Sequence, residues 1–524
     1  MNTKIDFQEN KKNLSRRRFI SSCLACGACM AISPAIANGM VGTPYSSSIN
    51  KKVRIRTIYS LLNIVQNQPD WPNLGFNFGP VIQNINNTLK NEFPAFEFIS
   101  TLATVQTDAE KILAEDVNNK IDGYIVFQMN CKARVVETIA KSTKPVLYVD
   151  FQYGGSGRFL QSNSSFLAGR QNNVGFVSSS RVEDLIAAVK SFEIPVKGGS
   201  MSDFVKAINI SRLKSTPTPG NLFCTPDKLD NTLSVDECRR RLKESKILAI
   251  RDQNVLSAKP IMGIPLEYVP FAEVNQAWEI ADKDEVKEIA NKWQNKASKI
   301  EGVSFDELQN SAAFYLGMKS VLKKHNASAI TISCLKGFYG NYIHAYPCLG
   351  FHELANEGLV GACEGDINST ATMLAFSTMT GRPGFISDPV IDTSKRQIIY
   401  AHCVAPTKMF GVNGPTNPYN IMTHSEDRKG ASIRSFLPIG YLTSTLKIWD
   451  KTKEIVFHQA KAVDNDPNDR ACRTKLCAEP LGDIEKLFTQ WHTYQWHRVT
   501  FYGDMKEQVY EMADSIGWKV VEEA

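Results

Sequence analysis

Apolar and polar positions alternate in blocks over the first part of the chain, and the block length switches between that of a strand and that of a helix. Val53–Leu61 is an apolar strand segment, and Pro80–Asn91 has helical spacing with its proline where a first helical turn tolerates one. Phe96–Leu102, Gly123–Phe127 and Pro145–Phe151 follow as strands, with helical segments at Ala109–Glu115 and Ala133–Lys141 between them. A strand at Val174–Ser178 and a helix at Arg181–Phe192 extend the series. Strands that alternate with helices in this way predict a parallel sheet covered by helices.

The pattern breaks between Lys197 and Asp230, where Gly198-Gly199-Ser200 and Ser215-Thr216-Pro217-Thr218-Pro219-Gly220 read as a join between modules. Beyond it, strands at Ile247–Arg251 and Ala329–Cys334, with helices near Asp284–Lys299 and Ser304–Lys324, predict a second, smaller α/β unit. After about residue 341 short β-rich segments dominate: Leu359–Cys363, Gly384–Ser387, Gln397–His402, Ser444–Trp449, Ile455–Ala462 and Arg498–Tyr502. One helix, Thr370–Met379, interrupts them, and a helix at Met505–Ile516 and a strand at Trp518–Val521 close the chain. The expected fold class is α/β: two Rossmann-like α/β domains, 50–195 and 196–340, followed by a β-rich C-terminal domain, 341–524.

The N-terminus carries a different signal. Ser15-Arg16-Arg17-Arg18-Phe19-Ile20 precedes a small-residue apolar stretch that ends in Ala35-Ile36-Ala37, an A-x-A cleavage pattern. A basic start, an apolar middle and a small-residue exit make a secretory leader, and the arginine pair makes it the twin-arginine type. Residues 1–37 are therefore expected to be an address read by the twin-arginine (Tat) translocase and cut before Asn38. The mature chain would then be periplasmic or extracellular. The leader's apolar run is shorter than the roughly 20 residues of a membrane span, so the mature form is not expected to be membrane-embedded. Cys23, Cys26 and Cys29 mimic an iron–sulfur run but lie inside the leader.

That assignment changes the charge. Six Lys and Arg and two Asp and Glu lie within residues 1–37, so the formal charge falls from +6 to +2. A nearly neutral protein offers nothing to nucleic acid or an anionic membrane. Nine cysteines remain, odd in number and scattered, and read as buried single thiols. Cys472 and Cys477, the one close pair, are read as unpaired, with a local disulfide as the alternative.

All eight histidines lie between His325 and His497, which places candidate metal or acid–base chemistry in the last third. Within it, Gly361-Ala362-Cys363-Glu364-Gly365-Asp366 sets two carboxylates where an apolar strand ends and a helix begins. Hard divalent cations such as Mn²⁺ or Mg²⁺ take such oxygen ligands, whereas a structural Asp366 would cap the Thr370 helix; spacing alone leaves both open. His402 sits near the exit of an apolar strand and His497 at the start of another, each a weak signal alone. Gly155-Ser156-Gly157 follows a strand, but Leu160 takes the place of the third glycine of a dinucleotide-binding loop.

Several of these runs, taken in order, resemble the L-fucose isomerase and L-arabinose isomerase superfamily: Tyr346-Pro347-Cys348-Leu349, Glu357-Gly358-Leu359-Val360-Gly361-Ala362-Cys363-Glu364-Gly365-Asp366, Thr380-Gly381-Arg382-Pro383 with Asp388-Pro389, Ala401-His402-Cys403, and Trp496-His497-Arg498-Val499-Thr500-Phe501-Tyr502-Gly503-Asp504. Pro69-Asp70-Trp71-Pro72 and the Asp122-Gly123-Tyr124 strand are compatible with the front half. The resemblance implies aldose–ketose isomerisation of a small-molecule sugar through an ene-diol, with a divalent metal, usually Mn²⁺, and a homo-oligomer. It implies Asp366 and His497 as metal ligands, His402 as a further ligand or a supporting group, and Glu364 with Asp366 in acid–base work. It also implies an additional acidic ligand upstream of the aspartate. Gly340–Cys348 holds no Glu or Asp, which leaves His344 or Glu353 to fill that place. A non-catalytic carbohydrate-binding protein on the same scaffold is the alternative.

Overall fold

The computed structural model describes residues 52–230, 232–251 and 258–524, so the expected twin-arginine leader, residues 1–37, lies outside the described residues. The first sheet is five-stranded and parallel, in the order β2-β1-β3-β4-β5. Its strands are β1 (Val53–Ser60), β2 (Phe96–Ala103), β3 (Gly123–Gln128), β4 (Val146–Asp150) and β5 (Val174–Val177). Ile55, Ile58, Ile125, Val126 and Leu147 on its central strands are fully buried, as expected for strands covered on both faces. Each such side chain contributes about 1.5–3 kcal/mol.

Within the stretch Lys197–Asp230, read from the sequence as a join, the structure holds a helix that the pattern did not predict, Met201–Ser215. Ser200 accepts from the Asp203 N–H and the Asp203 carboxylate accepts from the Ser200 N–H, a capping box that starts the helix. Phe204 and Ile208 pack into the first sheet's core, and a Cβ on Gly175 would meet Ile208 Cδ1 at 2.4 Å. The Gly and Pro residues that suggested a linker stand just before and after this helix.

The second sheet has four strands in the order β10-β9-β6-β7, all parallel. They are β6 (Ile247–Ile250), β7 (Leu266–Val269), β9 (Ala329–Ile332) and β10 (Val360–Ala362). A small sheet joins β8 (Lys299–Glu301), β13 (Tyr419–Met422) and β14 (Ser432–Ser435). The C-terminal sheet runs β15-β18-β11-β12-β17-β16-β19. Its strands are β11 (Phe385–Asp392), β12 (Gln397–His402), β15 (Leu442–Trp449), β16 (Glu454–Asn465), β17 (Thr474–Pro480), β18 (Arg498–Tyr502) and β19 (Lys519–Glu522). β15 also pairs with β16, so these antiparallel strands close on themselves. The architecture is thus mixed α/β, with two parallel Rossmann-like sheets and a C-terminal antiparallel barrel region. No helix among the described residues is long and apolar enough to cross a membrane.

β11 runs on to Asp392, past Ser387, where the sequence pattern ended it. β18 pairs with β11 only over Phe385–Ser387, and beyond that β11 has β12 alone as its neighbour. A proline that lacks an N–H donor is tolerated where one side of a strand is unpaired.

Candidate metal centre

The register of three strands builds one side of the site. On β11 and β12, Asp388 stands opposite Ala401, one residue before His402. On β11 and β18, Ser387 stands opposite Arg498, which puts His497 beside Asp388. Asp388, His402 and His497 therefore meet at one end of the C-terminal sheet, all buried. The fourth group comes from the second sheet: Glu364 follows β10 and precedes the helix Ile367–Thr380. Its φ is +62°, a left-handed conformation that is costly for a residue with a side chain, and Gly365 beside it has φ +67°.

One ligand atom from each of Glu364, Asp388, His402 and His497 lies within 4.8 Å of all the others. His497 Nε2 is 3.4 Å from Glu364 Oε2 and 3.4 Å from Asp388 Oδ1, and His402 Nε2 is 3.7 Å from Glu364 Oε1. Bonds of about 2 Å to a common ion put neighbouring ligands about 3 Å apart and opposite ones about 4 Å apart, so these separations suit a divalent ion. His497 Nε2 and both ring nitrogens of His402 are buried with no hydrogen-bond partner. Buried polar nitrogens left open cost stability unless a ligand satisfies them.

Asp366 stands outside this group. Its Oδ1 accepts from the Ser369 N–H at 3.0 Å and caps the helix Ile367–Thr380. Its Oδ2 accepts from Ser369 Oγ at 2.7 Å and from the fully buried Lys447 Nζ at 2.9 Å, and lies 3.1 Å from His497 Nδ1. A carboxylate on Nδ1 fixes the ring and leaves Nε2 to face the group. Of the two readings left open for Asp366, the geometry is that of the cap: Asp366 caps a helix and contacts His497 Nδ1, and it is Asp388, not Asp366, that belongs to the group. His344 and Glu353 do not fill it. His344 is exposed against Trp278 and 3.8 Å from Glu279, while Glu353 is held by Lys292 and by Trp293 Nε1 at 3.0 Å. Asp388 was legible only as part of the Asp388-Pro389 motif, since the expected strand ended at Ser387.

Charge in the group is strongly coupled. Burial opposes the ionisation of Glu364, but the imidazoles of His497 and His402 override it and hold the carboxyl below its usual range. Burial pushes Asp388 up to about 7, against the pull of His497 and with Glu364 adding to the rise. Burial disfavours a charged His497, yet Glu364, Asp366 and Asp388 together raise it to about 10.

A cleft of about 520 Å³ opens on Glu364 and His497 of the group. Arg158, Gln161, Asn368, Gln495 and Trp496 line it together with Glu364, Asp366 and His497. The Gly155-Ser156-Gly157 motif finds its use here. A Cβ on Gly157 would meet the Trp496 ring at 2.4 Å, so the glycine lets the helix Ser156–Ala168 approach the residue before His497. A Cβ on Gly155 would meet the Gln128 carbonyl oxygen at 2.1 Å.

Comparison with known proteins gives distant relatives. The chain is 22% identical over 307 residues to the sulfoquinovose isomerases of Priestia aryabhattai and Priestia megaterium, covering 55% of this chain and 66% of each relative. It is 29% identical over 100 residues to the sulfoquinovose isomerase of Alkalicoccus urumqiensis, covering 19% of this chain and 22% of the relative. The chain thus spans less than two thirds of the length of these curated relatives. No family model matches the chain. The homology that these comparisons carry is weak, and it is to sulfoquinovose isomerases.

Proposed function

We propose that this protein is a metal-dependent aldose–ketose isomerase of carbohydrate metabolism, acting on a small sugar through an ene-diol. The observation that carries this reading is the convergence of two carboxylates and two imidazoles, three of their ring nitrogens unpartnered, beside a cleft that Glu364 and His497 line. The names of the distant relatives support it and point to hexose-sized sugars, sulfoquinovose included.

Asp388, His402 and His497 would hold a divalent ion with Glu364, and the mix of oxygen and imidazole donors suits Mn²⁺. Such an ion polarises a carbonyl and stabilises negative charge on neighbouring sugar oxygens. Glu364 is the partly exposed member on the cleft wall, and its carboxylate is the group to carry the proton between adjacent carbons. Gln161, Asn368 and Gln495 offer donors and acceptors to hydroxyls, and the Trp496 indole offers a flat face to the ring. Asp366 acts through His497, as a positioning group. The alternative of a carbohydrate-binding protein without catalysis drew on a cleft between α/β domains and on a missing acidic ligand; the presence of Asp388 in the group favours the catalytic reading over it. The twin-arginine leader supports export through the Tat translocase to the periplasm or beyond, and a homo-oligomer remains part of the same reading.

The test is deuterium exchange. The purified protein with Mn²⁺ is incubated in D₂O with pentoses, hexoses, deoxyhexoses and sulfoquinovose, and the carbon next to the carbonyl is followed by NMR. Exchange that disappears with chelator and in Glu364→Gln is expected. Absence of exchange with every sugar, in a protein that binds Mn²⁺, would falsify the isomerase reading.

A further inference from the structure

Two buried thiols lie directly behind the carboxylate that faces the cleft. Cys334 and Cys363 are 0% and 5% exposed, and their sulfurs are 2.9 Å apart. They come from separate elements: Cys334 follows β9 and opens the short helix Cys334–Tyr339, and Cys363 leaves β10, the strand paired with β9. The Glu364 N–H donates to Cys334 Sγ at 3.3 Å. One sulfur therefore both touches its partner thiol and holds the backbone of a metal-group residue. That residue is in a left-handed conformation with little freedom to relax.

We propose that Cys334 and Cys363 form a reversible dithiol–disulfide site, closed by a peroxide, and that closure weakens metal retention at Glu364. The consequence for metal rests on the metal-centre reading above; the bond itself does not. The sequence read these cysteines as single thiols, and the pairing arises only when β9 and β10 lie side by side.

The chemistry balances with one peroxide per disulfide. One sulfur attacks a peroxide oxygen, the O–O bond breaks, an S–OH forms and a water leaves carrying that thiol's proton. The second sulfur attacks the first, the S–O bond breaks and a second water leaves with the second proton. Two thiols lose two electrons and two protons, and the peroxide becomes two waters. A dithiol reductant reverses the bond by thiol–disulfide exchange. Peroxide is small enough to enter the cleft, whose wall includes Glu364 and Gly365, the residues that follow Cys363. A disulfide is about 2.05 Å long, so the sulfurs must draw together from their 2.9 Å contact. The sulfur that accepts the Glu364 amide moves with them.

The experiment treats the reduced full chain with hydrogen peroxide, blocks remaining thiols, and maps peptides by mass spectrometry. A cross-linked peptide joining Cys334 to Cys363, lost on adding dithiothreitol, is expected. Calorimetric titration with Mn²⁺ should then show affinity about 10-fold weaker in the oxidised form, on the scale of a disturbed supporting contact. Cys363→Ser should keep its Mn²⁺ affinity through peroxide treatment. Cys238→Ala, at a thiol that contacts the Ala375 carbonyl instead, should respond as the wild type does. Peroxide products that never join these two residues overturn the proposal, whatever happens to the variants. A cross-link with unchanged Mn²⁺ affinity overturns the coupling. No Mn²⁺ binding by the reduced chain sinks the metal-centre reading, and the coupling with it, while the cross-link map still decides the bond.

Discussion

Two buried polar clusters share β12 and the start of β18, and both pair imidazoles with carboxylates, yet they differ in how fully their polar atoms are satisfied. In the first, Arg498, Glu523, His458 and Tyr400 are all essentially sealed from solvent. Arg498 donates to both Glu523 oxygens at 3.1 Å and to the His497 carbonyl at 3.0 Å. His458 lies 3.2 Å from Glu523 through Nδ1 and 2.7 Å from the Tyr400 hydroxyl through Nε2. Each of these charged groups has its partners. In the second cluster, one residue away along the chain, His497 Nε2 and both His402 nitrogens have none. Neighbouring residues on an extended chain point to opposite sides, so a single strand serves both. A satisfied buried network is architecture; an unsatisfied one, opening on a cleft, is a place for a ligand.

This contrast predicts opposite responses to mutation. The largest effect belongs to the closed network: Glu523→Gln leaves the buried Arg498 uncompensated and should lower stability by about 3–5 kcal/mol in urea unfolding, with metal stoichiometry unchanged. If stability holds, the network is not structural in the sense argued.

Asp388→Asn should do the reverse. Metal affinity falls by about 100-fold or more, while the metal-free protein gains about 1–2 kcal/mol at pH 8 because a costly buried charge is gone. Loss of stability together with affinity would show that Asp388 is a structural acid like Glu523. Asp366→Asn loosens the hold on His497 Nδ1 and also leaves the buried Lys447 without its carboxylate, so about a 10-fold loss in Mn²⁺ affinity by calorimetry is expected together with a lower stability.

The smallest effect is on pH. His497 is raised from 6.5 to about 10 and Asp388 from 3.8 to about 7 in the metal-free fold. Both shifts have the same sign: the proton is held more tightly in the folded than in the unfolded state. Their stabilisation is full below the unfolded values and drains away as pH rises, through about 7 for Asp388 and about 10 for His497. Metal requires both protons to leave, so apparent metal affinity should rise over the same range. Thermal unfolding of the metal-free and Mn²⁺-loaded protein at pH 6 and pH 9 checks this, and curves that move in parallel would remove it.

The alternation of strands and helices was legible because a parallel sheet buries both faces of its strands, leaving continuous apolar runs such as Val53–Leu61. Glu364, His402 and His497 were found from their places at strand ends. Asp388 was missed as a ligand because the expected strand stopped at Ser387, one residue short of it, whereas β11 continues to Asp392. The helix Met201–Ser215 was missed because flanking glycines and prolines outweighed a weak apolar stripe. That stripe becomes a core face only against Gly175 and the fifth strand.

The sequence by itself determined most of the elements, the near-neutral charge of residues 38–524, and the crowding of histidine into the last third. These are local or additive properties, readable one residue at a time. Only the tertiary structure decided which carboxylate meets the two imidazoles. That choice depends on the registers of β11 with β12 and β18, and on the turn that delivers Glu364 from another sheet. It also decided that Asp366 should turn away to cap a helix and hold His497, because one oxygen already serves Ser369 and Lys447. Contacts between residues far apart in the chain carry no period and no spacing, so they become visible only once the sheets have closed.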